Sequence, residues 1–311
     1  MMPHTQRHEL REERSSAARA SAGDARRRKK RELDDAPTII GVRDLTMGWG
    51  DVVLQKDLSF DVKQGEIFGI LGGSGSGKST LLRFLIGLEP VMKGSVCVDG
   101  LENIDLDEGK PPFGVMFQAG ALFGSLTVGE NVELPLEEWT DLPADAITAV
   151  AKAKLRLVGL DGAYGKFPSE LSGGMKKRAA IARALALEPK LVFFDEPSAG
   201  LDPITSAELD DLILTLNESL GLTVVIVTHE LESIFRIVDR AIMLDKASKS
   251  IIANGNPHDL ARSDDARVSA FFNRQPTRGE ESEPLTSTGE GPPSSTGEGP
   301  PSSSAEDPSL T

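Results

Sequence analysis

The sequence predicts an α/β fold in which helices cover both faces of a largely parallel sheet. Short apolar runs alternate with helical patterns over residues 37–275, and the runs LVFF at 191–194 and TVVIV at 223–227 are apolar almost throughout. Strands of this kind are buried on both faces, which is typical of parallel sheets in α/β proteins. The chain has 311 residues, of which 39% are hydrophobic, so it can build a substantial core.

The expected strands and helices follow in chain order. Strands are expected at TIIGVRD, VVLQKDLSFDV, EIFGILG, FGVMFQ, LVFFDE, LTVVIVTH and RAIMLD. Helices are expected to follow Lys78, Gly174, Pro203 and Glu230. Residues 119–168 lack such strands, and the stretch PADAITAVAKAKLRLVGL within them has helical spacing. We therefore expect a helical insertion, with a helical subdomain over about residues 119–180.

The two ends of the chain differ from the middle in composition. Residues 1–36 are polar and rich in arginine, and residues 276–311 contain the octapeptide STGEGPPS twice in tandem. Neither segment can bury enough apolar surface to offset the entropy lost on ordering, so we expect both to be disordered. The run RRRKKR at 26–31 could contact anionic lipid headgroups, but the seven acidic residues of this segment also fit a solvated tail.

The composition argues against several classes of protein. The net charge of −14 lies mostly between the two end segments, and no basic nucleic-acid groove is expected there. The sequence has no uncharged apolar run of about 18 residues and no signal-peptide pattern, so we expect neither a membrane span nor secretion. Cys97 is the single cysteine and fits a reducing compartment, and the four histidines lack the spacing of zinc ligands.

A phosphate-binding loop occupies residues 72–79, GGSGSGKS. It fits the pattern G-x-x-x-x-G-K-[ST] and lies directly between a predicted strand and a predicted helix, as this motif requires. We expect Gly73, Gly75 and Gly77 to let the backbone curl, so that its N–H groups converge on phosphate oxygens at a helix N-terminus. Lys78 is expected to reach the terminal phosphates, and Ser79 to hold Mg²⁺. The residues expected to bind the nucleotide here are Gly72, Gly73, Ser74, Gly75, Ser76, Gly77, Lys78, Ser79 and Thr80.

Three other predicted strands end in polar side chains that belong at the same edge of the sheet. LVFFDE ends in Asp195 and Glu196, FGVMFQ ends in Gln118, and LTVVIVTH ends in His229. Open α/β sheets bind ligands at the carboxyl ends of their strands. We expect Asp195 to support the magnesium and Glu196 to orient and deprotonate the attacking water. Gln118 and His229 suit the sensing of a γ-phosphate or a water, although a lone histidine is more often a satisfied core or loop residue.

A second glycine corner lies in ELSGGMKKRAAIARAL, residues 170–185. Ser172 occupies an N-cap position before a run of helix formers, so Ser172, Gly173 and Gly174 present a hydroxyl and free N–H groups at a positive helix end. One nucleotide does not need two phosphate-binding helix ends from one small domain. We therefore expect this corner to serve a nucleotide held by a second copy of the chain, in a dimer with shared sites.

The motifs of about residues 37–274, in this order, resemble those of the nucleotide-binding subunit of an ABC transporter. LSGGMKKRAAIARAL looks like the ABC signature, GGSGSGKS like the Walker A loop and LVFFDE like the Walker B strand. Gln118, Asp202 in SAGLD, and His229 match the Q-loop, the D-loop and the switch histidine of that family. The resemblance implies a P-loop NTPase of ABC ATPase type, with a mixed sheet core, an antiparallel β subdomain and a helical subdomain.

The resemblance also implies how the site works. Two chains form a head-to-tail homodimer, and each ATP with its Mg²⁺ lies between the Walker A loop of one chain and the Ser172 corner of the other. ATP binding closes the dimer, and hydrolysis assisted by Glu196 reopens it. Trp49 falls where the family places an aromatic that stacks on adenine, although buried aromatics are usually core residues. The implied catalytic residues are Glu196, His229, Gln118 and Lys78, and the implied metal ligands are Ser79, Gln118 and Asp195.

Met175 separates this chain from the commonest ABC signature, which has Gln after LSGG. LSGGM followed by basic residues is similar to the ATPases of Mla/Mce-type phospholipid transport systems, as are THELESIFRIVDRAIMLD and SDDARVSAFFNR. This branch implies an ATPase on the cytoplasmic face of the bacterial inner membrane, beneath an integral membrane permease and working with an Mce-type lipid-binding protein. The permease would dock beside Gln118 and the following AGALFGSLTV, although small and apolar residues there also suit core packing.

Other functions stay open at this point. An ABC importer for a small solute would have the same catalytic set, because other subunits bind the cargo. An ABC protein of DNA repair or translation is less favoured, because Ser172 follows Lys78 by too few residues for a long coiled-coil insertion, and the chain has one phosphate loop. A P-loop kinase would leave the Ser172 corner without a role.

Overall fold

The structure is a computed structural model of the chain, and it describes residues 29, 31–104, 106, 109–118 and 120–273. The disorder expected for residues 1–36 and 276–311 falls outside these residues, except at residues 29 and 31–36, which the structure describes. Residues 31–35 form a short helix ahead of the first strand. Every described helix is too short or too polar to cross a bilayer.

The described residues form two sheets and a set of helices. The strands are β1 Thr38–Trp49, β2 Val52–Lys63, β3 Ile67–Gly72, β4 Lys93–Val98, β5 Leu101–Glu102, β6 Phe113–Met116, β7 Leu191–Asp195, β8 Thr223–Val227, β9 Arg240–Asp245 and β10 Ser250–Gly255. The helices after β3 are α1 Lys78–Leu85, α2 Val128–Trp139, α3 Ala144–Leu157, α4 Gly173–Ala184, α5 Pro203–Leu220, α6 Leu231–Ile237, α7 Pro257–Leu260 and α8 Ala266–Phe272.

The central sheet has six strands in the order β10-β9-β3-β8-β7-β6. Strands β9, β3, β8, β7 and β6 pair in parallel, and β10 joins β9 antiparallel. Every residue of β3, β7 and β8 is buried, because these strands are covered on both faces. The predicted α/β fold with a parallel core is therefore confirmed, and β10 makes the sheet mixed.

The second sheet is antiparallel, with the order β2-β1-β4-β5. Two predicted strands, TIIGVRD and VVLQKDLSFDV, are β1 and β2 of this sheet rather than members of the parallel core. Strands β5 and β10 have no counterpart among the predicted strands. Strand β5 has two residues, and β10 is half-exposed along most of its length, so neither carries a continuous apolar run.

Two apolar clusters cover the two faces of the central sheet, because successive residues of a strand point to opposite faces. Ile67 and Leu71 of β3 belong to a cluster that includes helices α2 to α6. Phe68 and Ile70 belong to a cluster shared with α1 and the antiparallel sheet. Because the faces are covered and these strands run parallel, their polar carboxyl ends lie together at one open edge of the sheet.

The region between β6 and β7 contains helices α2, α3 and α4. Thr127 begins α2 with a reciprocal capping box: its hydroxyl accepts the Glu130 N–H at 3.2 Å, and the Glu130 carboxylate accepts the Thr127 N–H at 2.6 Å. Gly129 lies against Tyr164, where a Cβ would meet the ring at 2.4 Å. The capping box fixes where α2 begins, and the contact with Tyr164 requires glycine in its first turn.

Candidate active site

The phosphate loop runs from the end of β3 into the start of α1. Gly72, Gly75 and Gly77 have φ values of 145°, 72° and 94°, in the left-handed region that favours glycine. At Gly72 a Cβ would also lie 2.5 Å from the carbonyl oxygen of Leu244. Gly73, also expected to let the backbone curl, does not have a positive φ, and Gly72 makes the first turn. An added Cβ at Gly73 would meet nothing within 4 Å, so the loop is open on that side.

Lys78, the first residue of α1, points back over the phosphate loop. Lys78 Nζ donates to the carbonyl oxygens of Gly72 at 3.0 Å and Gly73 at 3.1 Å. Burial lowers the pKa of Lys78, and the carboxylates of Glu196 and Asp195 oppose this shift. The structure therefore places the Lys78 ammonium group against the backbone of the loop, where the carboxylates of Glu196 and Asp195 favour its charged form.

Ser79 links the phosphate loop to the acidic end of β7. Its hydroxyl donates to Asp195 Oδ1 at 3.2 Å. Burial raises the pKa of Asp195, and the hydrogen bond from Ser79 opposes this shift. A hydroxyl and a carboxylate this close, beside a phosphate loop, are oxygen ligands of the kind that Mg²⁺ prefers.

Glu196 and His229 meet across the neighbouring ends of β7 and β8. Asp195 pairs with Val227 in the parallel register of these strands, so the residues that follow lie side by side. Glu196 Oε1 lies 2.7 Å from His229 Nδ1, and the Glu196 side chain is 10% exposed. Glu196 Oε2 is buried and has no hydrogen-bond partner among the described residues. One carboxylate oxygen is therefore oriented by the imidazole, and the other is left to accept a proton.

The Ser172 corner caps α4. The Ser172 hydroxyl accepts the Met175 N–H at 3.3 Å, as an N-cap residue does. A Cβ at Gly174 would lie 2.5 Å from Thr205 Cγ2, so glycine is required by the packing of α4 against α5. Ser172 and Gly173 are exposed, and within the described residues Ser172 accepts hydrogen bonds from the N–H groups of Met175 and Lys176 of α4. The structure thus does not bring this corner to the phosphate loop of its own chain.

Comparison with known proteins decides the family. A family model described as ABC transporter matches residues 55–199. The intermembrane phospholipid transport system ATP-binding protein MlaF of Haemophilus influenzae is 41% identical over 252 residues, which are 79% of this chain and 93% of that protein. The chain belongs to the ABC transporter family. It is an ATP-hydrolysing cassette of that family, and the ATP-binding subunits are its relatives.

Two further ABC proteins extend the comparison. The probable ribonucleotide transport ATP-binding protein mkl of Mycobacterium leprae is 41% identical over 75% of this chain and 68% of its own length. Among solved structures, the dimer of the ATP-binding cassette MJ0796 bound to ADP and Pi aligns with a TM-score of 0.62. It is 32% identical and covers 70% of this chain and 98% of its own.

Three other predicted residues of the ABC motif set lie at the surface of the cassette. The Trp49 side chain, at the end of β1, is 49% exposed, so it is not a core residue. Asp202 caps α5: the hydrogen bond from the Thr205 hydroxyl, followed by those from the N–H groups of Thr205 and Ile204, holds the pKa of its carboxylate below the usual range. Gln118 is exposed after the end of β6, and its backbone carbonyl accepts a hydrogen bond from Lys177.

Gln55 is a residue of the site that the sequence did not indicate. It lies on β2 and is fully buried, and its Nε2 donates to the carbonyl of Ser76 at 2.8 Å and to that of Asp245 at 3.0 Å. The antiparallel sheet thereby supports the phosphate loop from behind. A glutamine within an alternating strand is usually read as a surface residue, so no local signal identifies it.

Lys177 is the second unpredicted residue. It lies on α4, is 7% exposed, and its Nζ donates to the carbonyl of Glu196 at 3.2 Å as well as to that of Gln118. Burial lowers the pKa of Lys177, and the carboxylates of Asp195 and Glu196 oppose this shift. A lysine in a helix is usually solvated, so nothing in the local pattern places Lys177 beside the acidic pair.

A cavity of about 1210 Å³ lies away from these residues, between β2 and the segment from β9 to α7. Its lining carries both signs of charge and none of the predicted site residues. There, Arg240 Nε donates to Glu66 Oε1 at 2.8 Å, and burial raises the pKa of Glu66 while Arg240 opposes it. This buried ion pair ties β9 to the start of β3, and its role is structural.

Proposed function

We propose that this chain hydrolyses ATP to drive phospholipid transport between the inner and outer membranes, through a separate permease and an Mce-type lipid-binding protein. The observation that carries the catalytic part is the Glu196–His229 contact of 2.7 Å, beside the Ser79–Asp195 contact of 3.2 Å. The cargo is inferred from MlaF, which covers most of this chain and is named for intermembrane phospholipid transport.

The phosphate loop fits ATP, and the acidic edge fits Mg²⁺. The loop residues 72–77 would bind phosphate oxygens through their N–H groups, and Lys78 would exchange the carbonyls it now contacts for terminal phosphates. Ser79 and Asp195 would hold the metal, with Gln118 as a third ligand. When bound, the metal would neutralise charge on the terminal phosphates. Trp49, half-exposed at the turn between β1 and β2, would stack on the adenine.

Glu196 would act as the base for the attacking water. Its unpartnered Oε2 can accept the water proton, because Oε1 is already engaged by the imidazole. His229 would donate to Glu196 Oε1 through Nδ1–H, and its outer Nε2 would donate to the γ-phosphate only in the ring form that carries a proton on both nitrogens. The His229 side chain is 59% exposed, so its outer nitrogen can reach a ligand.

The catalytic site would be completed by a second copy of the chain. The exposed Ser172 and Gly173 offer a hydroxyl and helix-end N–H groups that no residue of the same chain's phosphate loop uses among the described residues. A head-to-tail homodimer would bring this corner onto the ATP of the partner, with Asp202 near the dimer contact. Ile204, two residues further along the chain, is 74% exposed and would be covered there.

The permease would dock on the segment after Gln118. Phe123 is 56% exposed, although it follows a stretch of small and apolar residues. Buried Asn131 fixes it in that position, because its side chain accepts the Phe123 N–H at 2.8 Å and donates to the Phe123 carbonyl at 3.1 Å. A fixed, outward-pointing aromatic suits a contact with a membrane partner, which would hold the cassette at the cytoplasmic face of the inner membrane.

The test is affinity purification of the full chain from detergent-solubilised membranes, followed by identification of copurifying proteins and lipids. We expect a permease, an Mce-type protein and enriched phospholipid, and we expect Phe123→Asp to lose the permease. Leu101→Asp is the matched control, because Leu101 is 51% exposed on β5 of the other sheet. A permease recovered with a solute-binding protein would favour import of a small solute, a cargo class that the name of mkl also suggests. Recovery of soluble partners alone would contradict the transport function.

A further inference from the structure

Lys177 uses its buried ammonium group on two backbone carbonyls from different loops. Its Nζ donates to the carbonyl of Gln118, which follows β6, and to the carbonyl of Glu196 at 3.2 Å, which follows β7. Burying an ammonium group is costly unless hydrogen bonds and nearby charges compensate, and Asp195 and Glu196 supply the charge here. The lysine therefore joins three catalytic segments: α4, the Gln118 loop and the end of β7.

A second cation of α4 fixes the same loop further along. Arg183 donates to the carbonyl of Ala121 at 2.7 Å and to the carbonyl of Gly120 at 2.9 Å. Gly120 also lies close to the helix, since an added Cβ there would be 3.5 Å from the Cβ of Ala180. The loop is thus held on α4 at several points, so a displacement of α4 carries the Gln118 loop with it.

Glu196 depends on its surroundings for its conformation. Its φ is 49°, a left-handed value that a residue with a long side chain adopts only when neighbouring contacts hold it. The Glu196 N–H donates to the carbonyl of Val227 at 2.8 Å, and the carboxylate contacts His229. The Glu196 carbonyl accepts from the Ala199 N–H at 3.2 Å and from Lys177. Of these, the lysine is the one that comes from α4, the helix that carries Ser172.

We propose that Lys177 is a positioning residue for hydrolysis, which couples the orientation of α4 and the Gln118 loop to the carboxylate of Glu196. The proposal rests on the proposed role of Glu196 as the base. Without the ammonium donor, the carbonyl of Glu196 loses its link to α4, and the carboxylate is held less well against the attacking water. Nucleotide binding at the phosphate loop does not involve Lys177, so it should be preserved.

The experiment compares steady-state hydrolysis, ATP affinity and thermal stability of the full chain with Lys177→Met, Lys177→Arg and a control. The control is Lys154→Met on α3, where the lysine side chain is 14% exposed and pairs with Glu188. We expect Lys177→Met to lower kcat about tenfold to a hundredfold, with KM and ATP affinity within about twofold of the unmodified chain. Lys177→Arg, which keeps the charge and the donors, should recover most of the rate. If Lys177→Met does not fold, Lys177→Gln, which keeps one donor, should show the same split with a smaller loss.

A double-mutant cycle with Glu196→Gln separates positioning from a general structural role. We expect Lys177→Met to have no further effect on the residual rate of Glu196→Gln, because the group that it positions is no longer a base. An equal fold loss in both backgrounds would overturn the proposal, as would a Lys177→Met rate equal to that of Lys154→Met. If Glu196→Gln alone hydrolysed ATP at the normal rate, Glu196 would not be the base, and the proposed function of this residue would be refuted separately from the role of Lys177.

Discussion

The two oxygens of the Glu196 carboxylate lie in different environments: Oε1 is 2.7 Å from His229 Nδ1, and Oε2 is buried without a hydrogen-bond partner among the described residues. Burying an acceptor without a partner is costly, so it is expected mainly where a ligand or substrate supplies the missing donor. The attacking water would be that donor.

Glu196→Gln should separate ATP binding from hydrolysis. Glutamine keeps the size and one acceptor oxygen but cannot take a proton, so we expect kcat to fall by at least about a hundredfold while ATP binding is kept. The variant should accumulate as an ATP-bound dimer, measured by phosphate release and by size-exclusion chromatography with ATP. Glu208→Gln, at an exposed position on α5, serves as a control. A normal rate for Glu196→Gln would refute the base assignment.

His229→Ala should lower kcat about tenfold to a hundredfold and leave ATP affinity nearly unchanged. The imidazole orients the carboxylate through Oε1, and its loss frees the side chain to rotate. Steady-state kinetics and equilibrium binding of ATP would measure the two effects separately. His258→Ala removes a histidine that contacts the carbonyl of Phe235 at 3.2 Å, and it should have no such effect. Equal losses in both variants would argue against a special role for His229.

Lys78→Ala should weaken ATP binding about tenfold to a hundredfold, because hydrogen bonds from a charged donor to phosphate are lost. Isothermal titration with ATP would measure the change. The matched control is Lys56→Ala, an exposed lysine on β2. An ATP affinity of Lys78→Ala equal to that of the control would mean that the loop is not the nucleotide site.

Asp210 should make the stability depend on pH. Burial raises its pKa to about 6 from an ordinary value of 3.8, and Ser233 donates a hydrogen bond to it. The folded state binds the proton more tightly, so this stabilisation is complete below about pH 4 and is lost as the pH rises through about 6. Asp210→Asn mimics the protonated form at every pH. Urea unfolding should give equal stabilities near pH 4, and the variant should be more stable at pH 7 by on the order of 2 kcal/mol. A gain in stability that is equal at pH 4 and pH 7 would contradict this account. The control is Asp211→Asn, at the exposed neighbouring position, which should give no such gain at pH 7.

The parts of the fold that could be predicted depend on local patterns. The apolar runs of β7 and β8 identified them as buried strands whose polar ends share one edge of the sheet. That these two strands are neighbours, which brings Glu196 beside His229, was not predicted. The glycine pattern located the phosphate loop, although it could not tell that Gly72 rather than Gly73 has the positive φ. Roles assigned to Trp49, Asp202 and the Ser172 corner stay predictions.

The remaining features arise from contacts between segments far apart in sequence. Gln55 reaches Ser76 across 21 residues, and Lys177 reaches Gln118 across 59. Neither position breaks the period of its strand or helix, so the burial of the polar group is visible only after folding. Strand β10 was missed for a related reason: it is an edge strand whose residues are mostly half-exposed, which removes the apolar run that marks β7 and β8.

Ser172→Arg tests the shared site in one variant. Arginine at this exposed corner would block the approach of the partner's nucleotide, so hydrolysis should be abolished. The phosphate loop of the same chain is unchanged, so ATP affinity of the monomer should stay within about twofold. Isothermal titration at a protein concentration that keeps the chain monomeric would measure the affinity. A proportionate loss of monomer binding would mean that both motifs serve one chain.

The most direct test of the central claim, that each ATP is hydrolysed between two chains, is to mix Lys78→Ala with Ser172→Arg and measure ATP hydrolysis. Each variant alone should be inactive. In a mixed dimer, the intact loop of the Ser172→Arg chain meets the intact corner of the Lys78→Ala chain, so one complete site forms and hydrolysis should return. If the mixture hydrolyses ATP no faster than the sum of the two separate variants, the account of a shared site is wrong.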